Sequence, residues 1–325
     1  MTDKIIDTIM IGAGPSALAA AVYTTREDIE TVLYEKGVIG GLAAITDIVD
    51  NYPGFPEGVA GLTLADQLQK QAERFGAKIE FGDVSGLSID DNGIKTAIVD
   101  GQPVKARSVL IATGSDYNKL GIPGEAEFYG RGVHYCATCD GAFYREKRLV
   151  VVGGGNSAIQ EAIFLTRFTT HIDLLVRSTV KASDVLQQDL QKFVDEGKIT
   201  IHLGVVPTDI IATDGKVTSV AAKHGEETVS FDTNGVFIFV GLKPNTQFLE
   251  GSGIELDEQR LIKTDDHLET NMPGVFASGD VRSGATMQIA SAVGEGASAA
   301  LAIREYLDGV HHIESIGRVT TQTVA

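Results

Sequence analysis

The chain has 325 residues, 43% of them hydrophobic, and a formal net charge of -17. That length asks for two domains, and the composition supplies a core for each. The charge excludes general nucleic-acid binding, which needs basic patches, and no apolar run approaches the roughly 20 residues of a membrane-spanning helix. The opening Met1-Thr2-Asp3-Lys4 runs straight into an apolar strand without the layout of a secretory signal. A cytoplasmic location is therefore expected, with no membrane contact.

In chain order, Ile5–Ile11 is a short apolar run closed by glycine, which predicts a buried parallel strand. It enters Gly12-Ala13-Gly14-Pro15-Ser16-Ala17. Gly12 permits a tight turn, Gly14 lets a pyrophosphate approach the backbone, and Ala17 lets the next helix pack closely. That helix, residues 16–26, aims its first amides at the phosphates. A second strand over 31–34 ends at Glu35, about 20 residues beyond the first glycine, where an acid grips a ribose hydroxyl. Gly40-Gly41 and Asn51-Tyr52-Pro53-Gly54-Phe55-Pro56 read as loops, and 62–75 as a helix. Val109-Leu110-Ile111-Ala112-Thr113-Gly114 predicts another buried strand. Ile122-Pro123-Gly124 follows as a linker, and the domain boundary is placed within 115–121.

The only two cysteines stand in Cys136-Ala137-Thr138-Cys139-Asp140-Gly141. They are too few for a disulfide scaffold or a four-cysteine zinc site, and no H-x3-5-H spacing follows to complete a mixed one, so no metal is expected. Two sulfurs so spaced close a small ring disulfide and can carry two electrons. Asp140 beside them is either a proton donor with a pKa raised by burial, or a helix N-cap or turn aspartate. His134 is read as structural.

Arg148–Val152 predicts a strand entering a second turn, Gly153-Gly154-Gly155-Asn156-Ser157-Ala158, then a helix to about residue 168 and a strand over 172–176. No acid ends this strand, which closes on Val176-Arg177-Ser178. A 2′-phosphate wants clustered arginines there, and a cofactor lacking it wants Asp or Glu. One Arg, one Ser and nearby Lys181 favour the phosphorylated form weakly, and Arg177 reads equally well as a solvated charge. Short β-rich segments cover 199–240, and Gly241-Leu242-Lys243-Pro244-Asn245 closes the unit. Pro273-Gly274-Val275-Phe276-Ala277-Ser278-Gly279-Asp280 predicts a strand ending in a turn. Met287-Gln288 and an Ala- and Gly-rich helix to about 306 follow. The turn suits a ligand's phosphate or ribitol, although close helix packing explains the glycines better when they are taken alone. Residues 308–325 are polar and carry no assigned role.

Two nucleotide turns plus a dithiol imply a relay. A nicotinamide delivers hydride, a disulfide is opened by electrons, and a flavin converts one chemistry into the other. The first turn is expected to hold FAD and the second NAD(P)H.

The two glycine turns, Asn51-Tyr52-Pro53-Gly54-Phe55, the Cys136–Cys139 segment and the Gly279-Asp280 turn stand in an order that resembles the bacterial-type, low-molecular-weight thioredoxin reductases. These belong to the FAD-dependent pyridine nucleotide-disulfide oxidoreductases, and the resemblance covers residues 4–306. It implies an α/β chain of two Rossmann-like, three-layer ββα nucleotide-binding domains, the second inserted into the first. The FAD domain would be 1–115 with 246–325, and the NAD(P) domain, carrying the cysteines, 116–245. The resemblance also implies a homodimer, thioredoxin as the protein substrate, and hinges at 114–121 and 241–245. Cys139 would face the flavin, Cys136 would attack thioredoxin's disulfide, and Asp140 would donate the proton.

FAD contacts carried over by position are Gly12, Gly14, Ser16, Glu35, Gly41, Leu42, Asn51, Ala112, Gly279, Asp280, Gln288 and Ile289. Pro15, Val84, Thr113, Gly114 and Met287 stand beside them. Gly153, Gly155, Asn156, Ser157, Arg177 and Lys181 would hold the NAD(P). Leu42 stands where the family often has Gln, Met287 where it usually has Arg, and Val176-Arg177-Ser178 with Ala182 where it has a cluster of His and Arg. NADPH is the expected donor, with NADH possible. Residues 171–190 also resemble the flavoprotein of alkyl hydroperoxide reductase. The alternatives are a ferredoxin-fed relative, a reductase of another small dithiol or peroxidase partner, and a redox sensor without turnover.

Overall fold

The structure, a computed structural model, describes residues 4–46, 48–49 and 51–322, without the side chains of 311–322. The chain forms two compact units, residues 1–116 with 243–325, and residues 117–242. The second is inserted in the sequence of the first. The crossings thus fall at 116/117 and 242/243, against the expected 115/116 and 245/246. Asn245 shows why the return lies earlier. It exchanges hydrogen bonds with Thr113 of the first unit, Thr113 Oγ1 donating to its carbonyl at 2.8 Å and its Nδ2 donating back at 3.0 Å.

In the first unit, Lys78–Phe81, Thr31–Glu35, Ile5–Ile11, Gln102–Ile111 and Val275–Ala277 run parallel in that order. Gln102–Ile111 is long enough for two tasks. Its first half pairs antiparallel with Lys95–Val99, which pairs with Val84–Ile89, and its last residues, Val109 to Ile111, pair with Val275 to Ala277. Side chains alternate between faces, as a pleated strand requires. Met10, Leu33, Leu110 and Phe276 face the helices Pro15–Arg26 and Ile289–Gln322. Ile9, Ile11, Val109, Ile111, Val275 and Ala277 face the antiparallel ribbon. Sequence periodicity did not foresee that ribbon, because its strands alternate weakly. The last helix also outruns the expected end near 306, since no proline stops it before Gln322.

Helix against helix, this unit depends on one small residue. A Cβ on Gly296 would stand 2.1 Å from the carbonyl oxygen of Ser16. The close packing expected of the glycine-rich helix is thus present. Gly296→Ala has to push the two helices apart, and we expect a loss of about 1–3 kcal/mol. Urea unfolding with an unchanged midpoint would contradict this crossing.

The second unit holds a five-stranded parallel sheet in the order Val133–His134, Gly235–Ile238, Arg148–Val152, His171–Val176, Ile199–Leu203. Leu149, Val151, Leu174 and Phe237 pack on the helices Asn156–Leu165 and Asp184–Asp195. Val150, Val152, Leu175 and Ile238 pack on an antiparallel meander, Val205–Thr213, Lys216–His224 and Glu227–Asp232. Continuous apolar strands are explained by this double cover, as in any parallel sheet buried on both faces. No helix among the described residues is long and apolar enough to cross a membrane.

Candidate active site

The first glycine turn is held open for a ligand. Gly12 sits at φ +98°, and a Cβ there would lie 2.6 Å from the carbonyl oxygen of Ala112. A Cβ on Gly14 would meet no atom within 4 Å. One glycine thus closes the turn and the other leaves the backbone bare, which is what a dinucleotide's pyrophosphate needs. Glu35 at the end of the second strand accepts from Ala13 N–H at 2.8 Å and from Gly37 N–H at 2.7 Å. Its carboxylate is therefore fixed beside the turn. A cavity of about 330 Å³ opens there, lined by Gly12, Glu35, Lys36, Asp83, Val84, Thr113 and Asn245 among others. These features fit the adenosine and pyrophosphate of a dinucleotide.

Residues far apart in sequence complete this site. Asn51 Nδ2 donates to Gln288 Oε1 at 3.0 Å. The hydroxyls of Ser16 and Ser278 lie 2.6 Å apart, next to Gly279. Gly279 N–H donates to Glu295 Oε2 at 2.8 Å, and Arg282 binds both oxygens of Glu295. Burial, and then the charge of Glu295, pushes the Asp280 carboxyl up to about 6. Met287 is a non-glycine residue at φ +55°, a backbone arrangement of the kind that collects at ligand sites. Lys36, Asp83, Asn245 and Glu295 were missed from sequence. None belongs to a local motif, and Asn245 reaches Thr113 across 132 residues.

The second glycine turn repeats the logic within the other unit. A Cβ on Gly153 would lie 2.3 Å from the carbonyl oxygen of Phe239, whereas Gly155 is open. The segment after the strand folds back over the turn, with Lys181 N–H donating to Gly154 O at 2.6 Å and Ser183 N–H to Asn156 Oδ1 at 2.9 Å. Arg177, Ser178 and Lys181 are exposed, while Ala182 is buried in the core beneath.

Cys136 and Cys139 are joined as a disulfide with a Cα–Cα distance of 5.3 Å. The short helix Ala137–Asp140 bridges them, and Cys139 N–H donates to Cys136 Sγ at 3.2 Å. Asp140 precedes a 3-10 turn but caps none of its N–H groups. Its Oδ2 lies instead 3.2 Å from Nδ1 of His134, whose side chain is only 5% exposed. Nearby, burial and the Asp140 charge both push the phenols of Tyr129 and Tyr144 up. No cluster of metal-ligating side chains occurs among the described residues.

Two dinucleotide-binding units of this topology and a redox-active Cys-x-x-Cys define a flavin- and nicotinamide-dependent disulfide oxidoreductase. The profile of the pyridine nucleotide-disulphide oxidoreductase family matches residues 6–296, and the chain belongs to that family. Membership brings FAD and NADPH as cofactors. The chain is 41% identical over 310 residues to the thioredoxin reductase of Bacillus subtilis, covering 94% of this chain and 96% of that one. To the thioredoxin reductase of Listeria innocua it is 42% identical, covering 94% and 95%. The crystal structure of thioredoxin reductase from Streptococcus pyogenes superposes with a TM-score of 0.89 at 35% identity, over 95% of this chain and all of that one.

Proposed function

We propose that this chain is a thioredoxin reductase, passing two electrons from NADPH to thioredoxin through FAD and the Cys136–Cys139 pair. The observation that carries the reading is the disulfide, closed across two residues in the unit that bears the second glycine turn. Relatives named thioredoxin reductase at about two-fifths identity over nearly the whole chain support thioredoxin as the substrate. When bound, FAD supplies the exchange between hydride and sulfur that neither nicotinamide nor cysteine performs alone.

This chain's residues do the rest. Gly12, Gly14 and Glu35 bind the first dinucleotide, with Asn51, Gly279, Asp280 and Gln288 of the same unit, Gly279 lying against Ser16 of the first helix. Gly153, Gly155, Arg177 and Lys181 bind the second. Cys139 receives the electrons and Cys136 attacks the partner's disulfide. Asp140 supplies the proton. A cytoplasmic homodimer is part of the same proposal. The test is NADPH oxidation by the FAD-loaded protein with and without thioredoxin. Absence of thioredoxin-dependent turnover with NADPH and with NADH would overturn the reading.

One observation favours NADH as an additional donor. Ala182, where the family carries an arginine, is packed in the core, so the 2′-phosphate is left with Arg177, Ser178 and Lys181. An arginine–phosphate contact is worth about 1–3 kcal/mol, roughly tenfold to a hundredfold in affinity. Ser178→Arg should raise the preference for NADPH over NADH by about tenfold or more. An unmoved ratio of the two Kd values would show that residue 178 does not face the ribose 2′ position.

A further inference from the structure

Reducing a disulfide breaks one S–S bond with two electrons and leaves two sulfurs that must be protonated or held as thiolates. A carboxyl that serves them has to be reloaded and kept aimed in both of its protonation states. The surroundings of Asp140 meet that demand through a side chain that no sequence motif marks.

His134 lies at the end of the strand Val133–His134, with Nδ1 3.2 Å from Asp140 Oδ2 and Nε2 2.7 Å from the hydroxyl of Tyr144. Its ring stacks on Phe237 at 5.0 Å between centroids, and Tyr144 meets both rings edge-on. The ring packing and the two polar contacts together hold the imidazole in this orientation. All four residues belong to the inserted unit.

We propose that His134, held in turn by Tyr144, is a positioning residue that keeps Asp140 aimed in both of its protonation states. The proposal rests on Asp140 being the acid of the dithiol reaction. A neutral imidazole donates from one nitrogen and accepts at the other, and a phenol hydroxyl does both. With Asp140 as carboxylate, Nδ1–H donates to it and Nε2 accepts from Tyr144. With Asp140 protonated, Oδ2–H donates to Nδ1 and Nε2–H donates to Tyr144, so the contact survives with its direction reversed. Asp140 gives its proton to sulfur, becoming carboxylate as a thiolate becomes thiol, and the ring then presents Nδ1–H to it again. When thioredoxin reoxidises the dithiol, the two thiol protons go to thioredoxin's two sulfurs, and water reprotonates Asp140. No electrons move through His134 or Tyr144. Burial of the phenol, with the Asp140 charge beside it, keeps Tyr144 protonated.

The test uses the FAD-loaded protein and compares His134→Phe, Tyr144→Phe and Asp140→Asn. Tyr144→Phe removes only a hydroxyl and keeps the ring packing, so it reports even if His134→Phe disturbs the fold. Both outer variants should lower kcat for thioredoxin reduction by at least about tenfold, with KM for thioredoxin unchanged. A second readout is nitrogen NMR of the His134 ring, identified by its loss in His134→Phe. Its proton should lie on Nδ1 in the dithiol form, in which Asp140 is a carboxylate. If Asp140→Asn leaves kcat unchanged, the reading of Asp140 as the acid fails and this proposal with it. If Asp140→Asn slows turnover while both outer variants are at wild-type kcat, this proposal alone is overturned. A proton on Nε2 in the dithiol form overturns it as well.

Discussion

Cys139→Ser should lower thioredoxin reduction by about 10³-fold or more while NADPH still bleaches the bound flavin. The reason is stoichiometric. The pair stores two electrons by opening the Cys136–Cys139 bond, and one sulfur with a hydroxyl neighbour cannot form that bond. Cys136 would keep its thiol and could enter a mixed disulfide with thioredoxin, but nothing beside it would resolve the adduct. Flavin reduction belongs to a different half of the cycle and needs no sulfur. Rapid-mixing absorbance at the flavin band, followed by a thioredoxin assay, separates the two halves. Turnover within tenfold of wild type would mean that electrons reach thioredoxin by another route.

Lys95→Met should stabilise the first unit at neutral pH, an effect driven mainly by burial of the lysine charge. Lys95 is fully buried at the start of the strand Lys95–Val99. Its Nζ donates to the hydroxyl of Tyr306 at 2.6 Å and packs against Glycine 274 under the last helix. Burial lowers its pKa from 10.5 to about 8, against the opposing pull of Glu269 and Asp90. The folded-state value lies below the unfolded one, so folding disfavours the charged form. Below about pH 8 the folded protein carries that penalty in full. Between about 8 and 10.5 the unfolded chain binds the proton and the folded one does not, so stability rises with pH. The shift corresponds to about 3 kcal/mol. Methionine removes the charge but leaves the Tyr306 hydroxyl short of a partner, at about 1 kcal/mol. A net gain near 2 kcal/mol is expected at pH 7, shrinking to nothing or reversing by about pH 10. Denaturant unfolding of both proteins across this range measures it. A difference that stays constant with pH would show that Lys95 is neutral throughout or charged throughout.

The polar side of the molecule was legible where its parts are consecutive. Gly12, Gly14 and Glu35 follow from a strand, turn, helix and strand in series, and the structure brings Glu35 onto Ala13 N–H. The Cys136–Cys139 pair is equally local. The weak spots were positions whose meaning depends on partners. Asp140 had two readings from sequence, proton donor and N-cap or turn aspartate; it stands at the N-cap position of a 3-10 turn without a side-chain cap bond and turns to His134 instead. His134 looked structural because a single histidine has no motif. Its contacts come from the parallel pairing of His134 with Phe237, and from Tyr144, which arrives ten residues later on a separate turn. Ala182 could be recognised as a missing arginine, but only the packing shows that the position lies in the core.

The division has a physical cause. Sequence by itself determined the two nucleotide turns, the redox pair and the α/β class. Each of these depends on backbone permissiveness, apolar periodicity or short spacing, which act between near neighbours. Tertiary structure decided that Asn51 meets Gln288, that Asn245 clasps Thr113, that Gly296 touches Ser16 and that a lysine lies wholly inside. Those pairings are set by sheet register and helix crossing, and both are properties of the whole packed unit that no window of sequence contains.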